Sequence, residues 1–307
     1  MRGASADAEM IRVARAEHER ADTRATFEVA DDHASTVAEP VESRSRTRPT
    51  RRDTCRRGPA TPNVAVMLRL IDHRTGRPQD VGTNAARRVR VAYPGHDLRA
   101  AIAADTARRV AARHRLTVTV HRLPYDDTAA DPAGDVEYNM PAPTTGEPDG
   151  PIDVWFGATT ARVPVAEARL HVLRPPALVE VANGDAPPRP EDPLALRLLL
   201  LTLGPHEPLR ADRRGYAGVD DAVRTLAGLR ELTALCAESP SAALPTDAVA
   251  PIHAALDADL DTPAAVRLLV ALSRDELLAP GARFEALVHV DRFLALDLAR
   301  DVGRPRD

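Results

Sequence analysis

The amino-acid sequence predicts an α/β domain followed by an all-helical one, and three stretches carry that expectation. Residues 88–120 read as strand, turn, helix and strand, a βαβ unit that implies a parallel sheet. Residues 193–203, PLALRLLLLTL, are apolar on nearly every side, as in a helix at the middle of a bundle. Residues 252–272, IHAALDADLDTPAAVRLLVAL, read as a helix, a capped break and a second helix.

The elements follow in order. Residues 88–93, RVRVAY, form the first strand and stop at the Pro94-Gly95 turn. Residues 97–113 form a helix with Leu98, Ile102 and Ala103 on its apolar side and Arg99, Arg108 and Arg109 opposite. Residues 116–120, LTVTV, make the second strand, and 126–149 form a loop rich in Pro, Gly, Asp and Thr. Further strands are expected at 152–156 and 177–181, before a Pro-rich connection over 182–192. After the Leu-rich helix comes one over 220–237, whose stripe of Val223, Leu226, Leu229 and Cys236 places that cysteine in the core. In the hairpin, Ile252, Leu256 and Leu260 share one face, Thr262 offers a hydroxyl N-cap, and Pro263 fits the first helical position. Val266, Leu269, Val270 and Ser273 then face the core, and a last helix buries Phe284, Leu287, Val290 and Leu294.

Composition bounds the rest. With 307 residues, 44% apolar and 3% aromatic, the core must be built from Leu, Val and Ala. No run is long and apolar enough to span a membrane, and the N-terminus lacks a signal-peptide core. Cys55 and Cys236 form neither a metal nor a disulfide pattern, so the default setting is a reduced cytoplasm. Every basic side chain is arginine. A GC-rich, actinobacterium-like codon usage accounts for this, and it excludes any chemistry that needs an ε-ammonium group. Residues 1–66 read as a disordered Arg-rich extension, and no aromatic residue is interleaved in its arginine run at 44–57 for base stacking. Met67 reads as a translation start, which would leave that extension upstream of the protein proper.

ALDADLDTPAAV (255–266) and FLALDLAR (293–300) resemble the helical domain that follows the catalytic domain of cysteinyl-tRNA synthetases. Collinear patches extend the resemblance: LRAAIAADTARR (98–109), VTVHRLPYDD (118–127), IDVWFGATTARVPVAEAR (152–169) and PLALRLLLLTLGPHEPL (193–209). It covers about three-quarters of the chain and extends to the related cysteine ligase of mycothiol synthesis. It implies a reduced Rossmann-like, HUP-type nucleotide-binding domain over 67–190. A helical bundle of the class I anticodon-binding type would follow over 191–307.

The family's chemistry does not carry over. Its His-x-Gly-His positions fall on Pro94, Gly95, His96 and Asp97, so neither histidine is in register and a carboxylate would face the triphosphate. The Lys-Met-Ser-Lys-Ser loop cannot exist without lysine; APPRPEDP (186–193) stands there, with Arg189. The zinc positions are occupied by Val165 and Arg169, and no cysteine lies between Cys55 and Cys236. What remains of the scaffold is Asp105, Asp126, Asp127, Asp153, Gly157, Pro164 and Glu167. A remnant nucleotide pocket would use His96, Asp97, Arg99, Asp153, Trp155, Gly157 and Glu167. Asp153 and Glu167 are an acid/base pair only if they meet, and Trp155 is an adenine-stacking or a core residue. His121, His171, His206, His253 and His289 show no i, i+4 metal spacing.

The expectation is a cytoplasmic, non-catalytic binding or regulatory protein; the alternative is a residual ATP-dependent cysteine ligase with a rebuilt site around His96, Arg99 and Asp153. No cofactor is expected: zinc is not, and only weak features point to ATP. The partner would be a protein or a small metabolite rather than DNA or a membrane. Strong tRNA affinity is opposed by Asp257, Asp259, Asp261, Asp275 and Glu276 crowding one end of the bundle.

Overall fold

The computed structural model describes residues 67–82, 87–95, 97–123, 136–146, 148–157, 168–172, 190–212 and 214–304. All of them belong to one contact unit, Pro62–Asp307. The described part opens with an antiparallel hairpin, β1 (Arg69–Asp72) and β2 (Arg77–Asp80). A five-stranded parallel sheet follows, made of β3 (Arg88–Pro94), β4 (Thr117–Leu123), β5 (Thr144–Thr145), β6 (Val154–Phe156) and β7 (Leu170–Val172). Helix α1 (Leu98–Arg113) connects β3 to β4. The spatial order is β5-β4-β3-β6-β7. The chain therefore builds outward from β3 on one side, then returns to its other side, which makes the β3/β6 boundary a topological switch point.

The helical half comprises α2 (Pro193–Thr202), a two-strand ribbon of β8 (Ala211–Asp212) and β9 (Gly215–Tyr216), then α3 (Val219–Ala237), α4 (Thr246–Asp257), α5 (Thr262–Ser273) and α6 (Pro280–Leu294). No described helix is long and apolar enough to cross a membrane.

The register explains which sheet face does what. Parallel partners share a face, so Val91, Val120, Val154 and Leu170 form one row, and it packs into the main core. The row one residue on, Thr144–His121–Ala92–Trp155–His171, looks the other way, over a satellite cluster of Ala92, Leu123, Ile152, Trp155 and Ala168. The main cluster runs without a break from Leu70 through α1 and α2 to Leu298. Every residue from Leu194 to Leu201 is buried, as the all-round apolar pattern of α2 requires.

One of those buried residues is Arg197, at 0% exposure. Its Nε donates to Leu294 O (2.7 Å), Nη1 to Tyr138 O (2.9 Å) and Nη2 to Asp105 Oδ2 (2.8 Å). Asp105 on α1 also accepts from Arg108 (2.6 Å) and Arg109 (2.8 Å). Burial would raise this carboxyl, but the Arg197 and Arg109 charges and the Arg108 and Arg109 hydrogen bonds hold it below the ordinary aspartate range.

Several sequence expectations change. Arg99 is not on the solvent side of α1 but 3% exposed, while Leu98 and Ala103 are half-buried. Val223 is 42% exposed, because the stripe of α3 is centred on Leu226, Leu229 and Cys236. The cap of α5 is Asp261, whose carboxylate accepts from Ala264 N (3.0 Å), so Thr262 is the first helical residue. Leu260 leaves the face of α4: the helix ends at Asp257, and Asp259 and Leu260 turn at φ +57° and +52°. The hairpin β1–β2, the short β5, the strand β7 and the ribbon β8–β9 were not anticipated. The strand expected at 177–181 lies outside the described residues.

The first hairpin straps the edge strand β7 to the bundle. His73 N donates to His171 O (2.8 Å) and Ile71 N to Asp259 Oδ1 (2.7 Å), while Asp259 N returns a bond to Arg69 O (2.8 Å).

Two stability tests follow. Asp105→Asn leaves Arg197 as a buried cation without its counter-charge and is expected to cost about 3–5 kcal/mol in urea unfolding. Arg197→Met should cost less, because Asp105 keeps Arg108 and Arg109; the reverse ranking would remove this account. The second test concerns His253, which burial, Arg113 and His289 lower from 6.5 to about 4. A depressed folded pKa means stability is complete above pH 6.5 and lost as pH falls toward 4. His253→Gln should flatten that limb of the melting-temperature profile.

Candidate functional site

In open parallel sheets ligands bind beyond the C-terminal strand ends, at the switch point. Here that place is bounded by Pro94 and Gly95 after β3, the start of α1, and Gly157 after β6. Gly157 has φ +150°, and a Cβ there would stand 3.0 Å from Pro94 Cδ, so only glycine lets the two strand ends approach. Gly95 N donates to Leu123 O (2.9 Å) and pins the turn onto β4.

Asp97 does not project toward a ligand. It is 5% exposed and N-caps α1, its Oδ1 accepting from Ala100 N at 3.0 Å. The helix end that would otherwise attract an anion therefore already holds a carboxylate from its own chain.

Arg99, two residues on, turns away from the strand ends. Its guanidinium donates to Gly204 O and Glu207 O and holds the bend after α2. It also borders an open, mostly apolar cavity of about 410 Å³ with Ile102, Thr106, Leu200, Leu260 and Pro263.

Asp153 precedes β6 and so lies at the N-terminal edge of the sheet, away from Gly157. Its Oδ2 accepts from Arg90 N (2.8 Å), and its Oδ1 is 3.8 Å from Arg169. It opens on a different groove of about 420 Å³, lined by Gln79, Asp80, Gly82 and Arg169. Asp153 and Gly157 are four steps of extended chain apart, about 13 Å. His96 and Glu167 lie outside the described residues, as do Asp126, Asp127, Pro164, Val165 and Arg189. Of the seven candidates the fold thus gathers Asp97, Gly157 and Trp155, and sends Arg99 and Asp153 elsewhere.

Trp155 is 1% exposed, beside Ala92 in the satellite cluster. The edge of its ring reaches the switch point: Cζ2 lies 3.4 Å from where a Gly157 Cβ would be. Cζ2 neighbours the ring carbon bonded to Nε1, and Nε1 is a buried donor without a hydrogen-bond partner among the described residues. His121 Nδ1, two strands away in the same row, is likewise unpartnered. An orphaned buried donor costs about 1–3 kcal/mol. Burial, then the Arg90 charge, holds the His121 imidazole below the ordinary histidine range, so it presents a neutral ring.

Among the described residues, no group of three or more His, Cys, Asp or Glu is placed to hold a metal. The acidic end of the bundle is occupied internally: Asp257 pairs with Arg113 and with His114 (2.7 Å), Asp259 accepts from Ile71 N, Asp261 caps α5, and Asp275 accepts from Leu277 N (2.9 Å). These hydrogen bonds give the carboxylates structural roles without removing their charge.

Sequence reading missed Arg197 and Arg230 as organising groups. Arg230 donates to Asp297 O (3.1 Å), to Leu296 O (2.9 Å) and to the α2 cap Asp192. A lone arginine within a Leu-rich helix was the available signal for the first of them.

Gly157→Ala tests the close approach. The added methyl must displace Pro94 and sit at a backbone angle that side chains avoid, so a loss of about 1–3 kcal/mol is expected in chemical unfolding. An unchanged midpoint would mean that the β3 and β6 ends are not in contact.

No family model matches this sequence, and no curated protein matches it.

Proposed function

We propose that this chain is a non-catalytic binding protein on a synthetase-like scaffold. A reduced Rossmann-like, HUP-type domain over 67–190 would be joined to a helical bundle of the anticodon-binding type over 191–307. Its setting would be the reduced cytoplasm, and its ligand a small metabolite or a protein partner. The 3-2-1-4-5 type of strand order and the collinear sequence patches support the scaffold.

One observation carries the loss of activation: the N-terminus of α1 is capped by the Asp97 carboxylate. Adenylate formation needs donors and positive charge where negative charge shifts during the reaction. A carboxylate there opposes that charge, and no lysine exists anywhere to compensate it. Arg99, the nearest arginine of α1, spends donors on the bend after α2. The separate positions of Arg99 and Asp153 support this reading over a rebuilt ligase site.

ATP–pyrophosphate exchange with each of the twenty amino acids tests the reading. No exchange above a heat-inactivated control is expected; reproducible exchange with any amino acid would overturn it.

A further inference from the structure

Outside the switch point, the fold brings together two histidines that are 36 residues apart in sequence. His253 on α4 and His289 on α6 point their Nε2 atoms at each other across 3.0 Å. Their rings lie 5.1 Å apart, tilted by 59°, and Phe293 packs edge-on against both at 5.5 and 5.6 Å. Both are half-buried, so each ring is fixed on one side and open to solvent on the other.

We propose that His253 and His289 form a two-imidazole site for a late first-row divalent ion, Cu2+ or Ni2+, bridging α4 and α6 through the facing Nε2 atoms, with water completing the coordination. The separation selects the ion. Two metal–nitrogen bonds of about 2.0–2.1 Å that span such a gap enclose an angle of about 94°, whereas a tetrahedral pair would need about 3.3–3.4 Å. Right-angle ligand pairs belong to the tetragonal and octahedral geometries of copper and nickel.

The surroundings suit neutral ligands. Burial, with Arg113 and His289 for His253 and with Arg292 and Arg113 for His289, holds both imidazoles below the ordinary histidine range, so a metal displaces no proton at neutral pH. The facing charges are Arg113 of α1, Arg292 of α6, Asp257 of α4 and His114 just after α1. Arg113 is ion-paired to Asp257, which mutes its repulsion of a cation. Without metal, one ring must donate and the other accept. With metal, both rings turn from the Nε2–Nε2 line so that their lone pairs converge on the ion, which replaces a single hydrogen bond with two coordinate bonds between the helices.

The test uses the full chain, titrated separately with Cu2+, Ni2+ and Zn2+. One equivalent of Cu2+ or Ni2+ should raise the melting temperature, and the Cu2+ electron paramagnetic resonance spectrum should show coupling to two imidazole nitrogens. His253→Gln and His289→Gln should each weaken binding by at least the roughly 10-fold that loss of a ligand's own support costs. The proposal is overturned if the double variant binds Cu2+ as the native chain does, or if neither Cu2+ nor Ni2+ raises the native melting temperature. It is also overturned if Zn2+ binds more tightly than Ni2+. The spectrum of the native chain decides the nitrogen count even if a variant fails to fold.

Discussion

A buried arginine fixes how the sheet meets the helices. Arg197 is fully buried within the otherwise apolar run of α2, and a guanidinium in that setting is tolerable only if its donors are met. They are met by Asp105 on α1, by the carbonyl of Leu294 at the end of α6 and by the carbonyl of Tyr138 after the 124–135 segment. Four separate parts of the chain must therefore arrive in register before the charge can be buried. A Leu-only core would be indifferent to small shifts of one helix over another; this node is not. Asp105 adds Arg109, which in turn reaches Asn139 O and Arg292 O, so the same carboxylate sets both flanks of the junction.

The lysine-free composition gives this arrangement a wider meaning. Arginine presents several donors in a fixed plane, which suits carbonyls at helix ends better than a single ammonium does. Arg99 gathers the bend at Gly204 and Glu207, and Arg230 gathers Leu296, Asp297 and the cap of α2. These are the irregular connections of a chain with few aromatic residues to pack them down. The guanidinium groups do as staples what larger side chains do by bulk. In a chain whose basic side chains are all arginine, these guanidinium groups serve the chain's own carbonyls and carboxylates as structural devices.

Much of the architecture was legible because it depends on periodicity. The βαβ unit, the apolar α2 and the capped break before α5 follow from local spacing, and their boundaries differ by only a few residues. What was hidden depends on pairing at a distance. β5 and β7 are two and three residues long and exist only because a neighbouring strand supplies their partners, so no local pattern marks them. Arg99 has a polar side chain, and periodicity assigns it to solvent; two carbonyls more than 100 residues away reverse that assignment. Asp257 and Asp259 read as surface charge until Arg113, His114 and the backbone of β1 are brought up to them. The candidate site was legible in the same measure: glycine and proline at strand ends announce a switch point, but which edge of the sheet Asp153 occupies requires the strand direction.

That strand direction also decides what the switch point can recognise. Trp155 and Asp153 are two residues apart and share a strand face, yet one reaches the C-terminal edge through its long ring while the other stays at the opposite edge. An acid/base pair built on Asp153 would have to work beneath the sheet, where Arg90 N and Arg169 already engage it. At the upper edge the described polar side chains include the helix-capping carboxylate of Asp97 and the indole of Trp155, with bare backbone at Gly157 between the strand ends. The indole is buried beside Gly157, and the carboxylate is spent on capping its own helix. On the proposed non-catalytic reading, such a rim would suit a molecule held by shape rather than a triphosphate undergoing transfer.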